Sequence, residues 1–286
     1  MRYGLACLAA LGLGGMLAAS ASGATIYNNL TPNDLIGVAS RPDLPGSFEI
    51  EAGDDFVLGQ QTHITTATFI GVIVPGASGA PSISAVVAEI YRVFPADSNS
   101  ARTPNVPTRA NSPSDVAFDS RDSAAGESSF TTSVLSGTFT TLNSVQPGGI
   151  HPSPNQTTLG DGPLTGQEVQ ITVAFTTPFD LPADHYFFIP QVALTNGGQF
   201  YWLSASRPIS GAGTTPFAPD LQVWTRDANL DPDWLRVGTD IVGGTPAPTF
   251  NAAFSLEGNA VPEPATAFVV LAGLALLGAG RRWLKA

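Results

Sequence analysis

The chain has 286 residues, a formal net charge of −11, 12 % charged residues, 30 glycines and 24 prolines. An acidic balance repels the phosphate backbone and so excludes nucleic acid as a partner, while glycine and proline at this density exclude a body of long helices. The single cysteine, Cys7, excludes a disulfide framework.

Residues 1–24 read as a secretory signal peptide. Arg2 gives a positive start, residues 5–17 are apolar, and Ser22-Gly23-Ala24 or Ala19-Ser20-Ala21 supplies the small residues of a cleavage site. Cys7 lies inside this segment, too early for a lipoprotein site. The body, residues 25–260, therefore has no cysteine and must hold its fold by burial alone, for which its length suffices. It carries eight basic and twenty-two acidic residues, a net −14, and no lysine. A surface of that sign favours cations or neutral polymers such as polysaccharide, or simply keeps an exported protein soluble.

Along the body, runs rich in Val, Ile, Thr, Phe and Tyr predict strands at 56–58, 63–74, 83–94, 130–145, 168–175, 186–194, 200–205, 221–225 and 250–256. In 168–175 the alternation is explicit: Val169, Ile171, Val173 and Phe175 interleave with Glu168, Gln170, Thr172 and Ala174, one face in and one face out. No stretch sustains a helical period, so the expected class is all-β, an antiparallel β-sandwich with the jelly roll among its forms. The acidic run Ala52-Gly53-Asp54-Asp55-Phe56, preceded by Glu49 and Glu51, either ends a hairpin or supplies cation ligands. Residues 95–129 and 147–166 are poor in aromatics and read as long surface excursions, with 116–118 the one apolar contact of the first.

Catalytic signatures are missing from the sequence. His63, His151 and His185 lack metal-site spacing, Gly76-Ala77-Ser78-Gly79-Ala80 misplaces the glycines of a nucleophile elbow, and no phosphate-binding glycine loop occurs. Twenty-two carboxyl groups still leave room for a glycosidase pair, which needs only suitable spacing in space. Asn29-Leu30-Thr31 and Asn155-Gln156-Thr157 match a glycosylation sequon at chance level.

Two local features point to binding. Asp227, Asn229, Asp231 and Asp233 place an oxygen ligand at every second position, as calcium loops do, but Pro232 stands where such loops need glycine, and an Asp-Pro turn accounts for the same residues. Trp234 beside Asp231 and Asp233 is a candidate glycan platform, since sugars lay apolar ring faces on Trp while carboxylates bond their hydroxyls; with Trp202 and Trp224, it equally suits core packing.

The C-terminal segment, residues 261–286, is the most informative. Val261, Pro262, Glu263 and Pro264 lead into an apolar run at 265–280, followed by Arg281, Arg282 and Lys285. At about 1.5 Å rise per residue the run spans roughly 24 Å, a thin transmembrane helix, and its terminal cations put the preceding body outside the cytoplasm. The order of Pro262-Glu263-Pro264, apolar helix and basic cluster resembles the PEP-CTERM sorting signal of exported bacterial proteins. That resemblance implies recognition and processing by an exosortase, a membrane transpeptidase, in a bacterium that makes an exopolysaccharide matrix. Residues 52–56, 186–190, 200–204, 233–240 and 250–256 are also similar to uncharacterised bodies of such proteins, to which no activity attaches. The expected function is thus a non-enzymatic surface or biofilm matrix protein that binds and displays, with a glycan-acting hydrolase or a calcium-dependent carbohydrate-binding protein as the rival.

Overall fold

The structure, a computed structural model, describes residues 23–94, 111–147, 157–206, 209, 220–227 and 234–261. Its strands are β1 (Ala24–Asn28), β2 (Pro32–Ala39), β3 (Ile50–Leu58), β4 (Thr62–Val74), β5 (Ile83–Arg92), β6 (Asp119–Asp122) and β7 (Ser128–Thr141) in the first half of the chain. The second half adds β8 (Asn143–Val145), β9 (Leu164–Leu181), β10 (Asp184–Leu194), β11 (Gln199–Ala205), β12 (Trp224–Asp227), β13 (Leu235–Arg236) and β14 (Phe254–Ala260). They form an eight-stranded sheet, β1-β14-β4-β11-β2-β8 with β9 and β7 added on the far side of β4, and a six-stranded sheet, β13-β12-β3-β10-β5-β6.

β4 organises the larger sheet because it is long enough to serve three neighbours. One of its edges pairs with β14 over Thr62–Phe69 and then with β11 over Gly71–Val74, while the other carries β9. Where β14 gives way to β11, a Cβ on Gly71 would lie 2.2 Å from the Phe200 ring and 2.6 Å from the Tyr201 carbonyl. Only glycine lets the chains approach so closely there.

The two sheets face each other across one hydrophobic core to which both contribute. Phe188 from β10 sits at its centre, 5.4 Å from the Phe254 ring, 6.1 Å from Trp202 and 6.3 Å from Phe69. These are distances at which offset and edge-to-face aromatic pairs attract. The Trp202 indole N–H is satisfied by the Ala253 carbonyl at 3.0 Å. The alternation read in residues 168–175 is realised in β9: Val169, Ile171, Val173 and Phe175 are buried, and the interleaved residues are partly or fully exposed.

Several expectations need correction. The larger sheet is mixed, because β2 and β8 run parallel at Ile36–Val38, while the smaller is antiparallel throughout, and sheets of eight and six strands exceed the eight-stranded jelly roll. The acidic run at 52–56 ends no hairpin; it lies inside β3, with Asp54 and Asp55 both buried. The excursion at 95–129 contains edge strand β6 and a buried stretch, Asn111 to Asp115, that packs on the smaller sheet. Strands β1, β2 and β13 carry too few apolar residues in alternation to announce themselves, and gain their structure from neighbours already in place.

The chain enters and leaves this fold on neighbouring strands. Ala24 of β1 lies opposite Gly258 of β14, and beyond Ala260 the Val261 N–H donates to the Gln61 carbonyl at 2.9 Å. Among the described residues no helix is long and apolar enough to cross a membrane. Residues 1–22 of the predicted signal peptide and the apolar run at 265–280 lie outside the described residues, while the last two residues of that predicted peptide, Gly23 and Ala24, are described and Ala24 opens β1.

Candidate functional site

The smaller sheet has a second buried face, turned away from the inter-sheet core. β10 is enclosed on both sides, because Tyr91, Val93, Phe187, Ile189, Leu221, Trp224 and Trp234 form a separate apolar cluster on the outer face. Pro190 is tolerated in this central strand since the pairing of β10 with β3 ends at Phe188 and Asp54, leaving the ladder open on that side.

At one end of that outer face, residues from three strands meet. Glu51 on β3 and Arg226 on β12 stand directly opposite in the strand register. The Arg226 guanidinium grips both carboxylate oxygens, its Nε on Oε2 and its Nη2 on Oε1 at 3.1 Å. The Tyr91 hydroxyl donates to Glu51 Oε1 at 2.5 Å and accepts from Arg226 Nη2 at 3.0 Å. Arg226 also lies 4.5 Å from the centre of the Trp234 ring, which in turn meets Tyr91 edge-on at 5.6 Å. This is a charged pair with its hydrogen-bonding capacity largely spent, clamped between aromatics.

Glu89 on β5 and Glu49, just ahead of β3, complete the group: carboxylate oxygens of Glu49, Glu51 and Glu89 lie within 4.8 Å of one another. Glu89 is pushed up to about 8, first by burial and then by repulsion from Glu51 and Glu49. Burial and Glu51 likewise raise Glu49, against a hydrogen bond from Gln191 Nε2 at 2.8 Å. Burial works to lower Arg226, but Glu51, Tyr91 and Glu49 together outweigh it and the guanidinium is held above its usual range. Tyr91 is raised well above the usual phenol by burial and by Glu51.

The chemistry open to these groups follows from access. Glu51 is 3 % exposed and fully engaged, so it cannot reach the anomeric carbon of a sugar ring, while Glu49 and Glu89 are half-buried at the margin. Hard cations take carboxylate oxygens at roughly 2.3–2.6 Å, and Glu49 and Glu89 could offer theirs, whereas both oxygens of Glu51 are already held by Arg226 and Tyr91.

The other end of the same face holds Asp55 and His185, both buried, with His185 Nε2 2.6 Å from Asp55 Oδ2 and the Leu221 N–H donating to Oδ1 at 2.7 Å. The second ring nitrogen, Nδ1, has no hydrogen-bond partner among the described residues. Asp54 points the opposite way, into the inter-sheet core, where it accepts from the Ala252 N–H at 2.8 Å; burial, then Asp55, raises its carboxyl well above the ordinary range.

The residues singled out in the sequence fare differently. Trp234 is fully buried and its indole N–H donates to the Ser114 carbonyl at 3.1 Å, so the glycan platform is corrected: no ring face is open to a sugar. Trp202 and Trp224 are also buried. Asp227 is buried at the end of β12, opposite Ile50. Its companions in the proposed calcium loop, Asn229, Asp231 and Asp233, lie outside the described residues, as do Pro262, Glu263, Pro264, Arg281 and Arg282. Val261 is described and continues directly from β14. The Glu49, Glu51, Glu89, Tyr91 and Arg226 group escaped the sequence because no fixed spacing links three strands. Its one visible trace is Glu89, a charge inside the apolar run 86–91.

Comparison with known proteins adds the tail. The family model for the PEP-CTERM protein-sorting motif matches residues 260–285, beginning on the last residue of β14. No curated protein and no solved structure matches the chain.

Proposed function

We propose that this chain, which carries a PEP-CTERM protein-sorting motif at residues 260–285, is a surface or extracellular matrix protein that binds and displays rather than catalyses. The motif implies export and processing by an exosortase, and it is the single observation that carries the reading. The composition supports it: a body of net −14 without lysine suits an exterior phase of neutral polysaccharide and cations. So does the enclosure of Glu51, which uses the charged cluster as a brace between strands.

The test is destination. In cells with the exosortase, the body is expected at the surface or in the medium, shortened at its C-terminus when analysed by mass; in cells lacking the enzyme it stays membrane-bound and full-length. Recovery of the uncut chain from the cytosol in both strains defeats the proposal.

A second reading, calcium-supported carbohydrate binding, draws on the grouping of Glu49, Glu51 and Glu89 and on the Asp227, Asn229, Asp231 and Asp233 spacing. Calcium titration against the thermal midpoint separates the two, since a structural ion raises the midpoint with concentration and an unmoved midpoint at millimolar calcium removes it. For the rival hydrolase, release of reducing ends from the organism's own polysaccharide is decisive, and silence there favours display.

A further inference from the structure

A sheet edge exposes backbone N–H and C=O groups without partners, and proteins keep such edges short, charged or covered. Among the described residues, the edges formed by β1, β8, β6 and β13 are five, three, four and two residues long. β7 departs from this rule. It runs fourteen residues, pairs with β9 alone, and is exposed from Thr131 to Leu135, with Val134 and Leu135 each about half uncovered. Its register against β9 is unbroken from Ser128 to Val134, before the bulges that follow. Seven residues at about 3.4 Å each give roughly 24 Å of regular open edge.

The chemistry of that edge identifies its occupant. No Asp, Glu, Lys, Arg or Pro occurs in Ser128–Thr141, and no charged residue occurs anywhere from 128 to 160. Ser and Thr make up nine of its fourteen residues, and Thr, Val and Phe fit a pleated surface. On a body of net −14, β7 is thus the long strip along which two copies meet without setting like charges opposite each other. The nearest carboxylates are at its margins: Glu127, just before the regular stretch, accepts from the Asp122 N–H at 2.9 Å, and Glu168, one strand inward, lies opposite Ser136 beyond it. A basic partner would be drawn to the acidic surface elsewhere, whereas a second copy finds here its own complement.

We propose that β7 is a self-association edge: two copies of this chain pair antiparallel through Ser128–Val134 about a two-fold axis, joining their larger sheets into one. With the axis at the middle of that stretch, Thr131 lies opposite its own counterpart. The inference is independent of where the protein is delivered.

Disulfide trapping in the full chain tests it, because Cys7 is the only native cysteine and lies in the predicted leader. Directly opposed antiparallel residues have Cα atoms about 4.5–5.5 Å apart, within reach of a disulfide. In a Cys7→Ser background, Thr131→Cys in membranes of expressing cells is expected to give a reducible band of twice the chain mass under mild oxidation. Ser84→Cys, exposed on the face of β5, is expected to give none. Adding Ser129→Lys and Ser133→Lys to Thr131→Cys places lysines opposite each other and is expected to abolish the band while the protein stays protease-resistant. A monomer alone from Thr131→Cys, equal bands from Ser84→Cys, or a band of another mass overturns the proposal.

Discussion

Arg226 and Glu51 are directly opposed residues on β12 and β3, and the guanidinium of the first encloses the carboxylate of the second while resting on the Trp234 ring. A cross-strand ion pair in such enclosure stabilises little beyond an apolar pair of equal volume, but removing one partner strands the other in a dry site. Arg226→Met is therefore expected to cost about 3–5 kcal/mol in urea unfolding, and Glu51→Met a similar amount. The double variant is expected to cost less than the sum, because neither charge is then orphaned. Additive losses would show that the pair is not coupled.

Trp234 supplies the floor of that clamp. Trp234→Ala removes a fully buried indole, its bond to the Ser114 carbonyl and the contact under Arg226, and is expected to cost about 3–5 kcal/mol. Trp234→Phe keeps most of the volume and is expected to lose less. Polysaccharide pull-down by the folded Phe variant is expected to match the parent; selective loss of sugar binding with unchanged stability would restore a ligand role to the ring.

The sequence carries the architecture more clearly than the site. β9 is legible because burial on one face imposes a period of two, and β4 and β10 because burial on both faces yields the apolar runs 69–74 and 186–194. β6, with the sequence DSRD, is illegible: its order comes from pairing with β5 and from Arg121, which donates to the Thr177 carbonyl at 2.7 Å. The acidic run at 52–56 misleads because two adjacent carboxyls usually mark solvent, while here Asp54 accepts from the Ala252 N–H inside the core and Asp55 pairs with His185. Contacts of that kind join residues 130 and more apart in sequence, and local spacing has no means of encoding them.

Glu89 gives the body a pH dependence of definite sign. Its carboxyl titrates at about 8 in the folded protein against an ordinary value of 4.5, so between those limits the folded state holds a proton that the unfolded chain has released. Stability from this group is fully present below about pH 4.5 and falls as pH rises towards 8. Glu49, Asp54 and Asp55 are raised in the same direction, all with burial as the leading cause. Thermal midpoints in calcium-free buffer are expected to fall from pH 5 to pH 8, with a shallower fall in Glu89→Gln. Parallel curves for the two proteins would remove Glu89 as a source of the slope.

Gly258 couples the fold to the start of the sorting motif. It lies in β14 between Ala24 and Ile64, two residues before the motif match begins, and a Cβ there would sit 2.1 Å from the His63 carbonyl oxygen and 2.8 Å from Ile26 Cδ1. One of those neighbours is backbone and cannot yield without shifting β4, so Gly258→Ala is expected to cost about 1–3 kcal/mol through overpacking. The disturbance falls on the strand pair that joins the chain's entry to its exit, so the last residues of β14 are expected to open more readily than the core. Limited proteolysis followed by mass analysis checks this: new cleavage is expected around 257–261 in the variant, with fragments from β9 and β10 unchanged. Uniform loss of protection across all strands would mean that the glycine supports the whole sheet and has no special bearing on the junction with the tail.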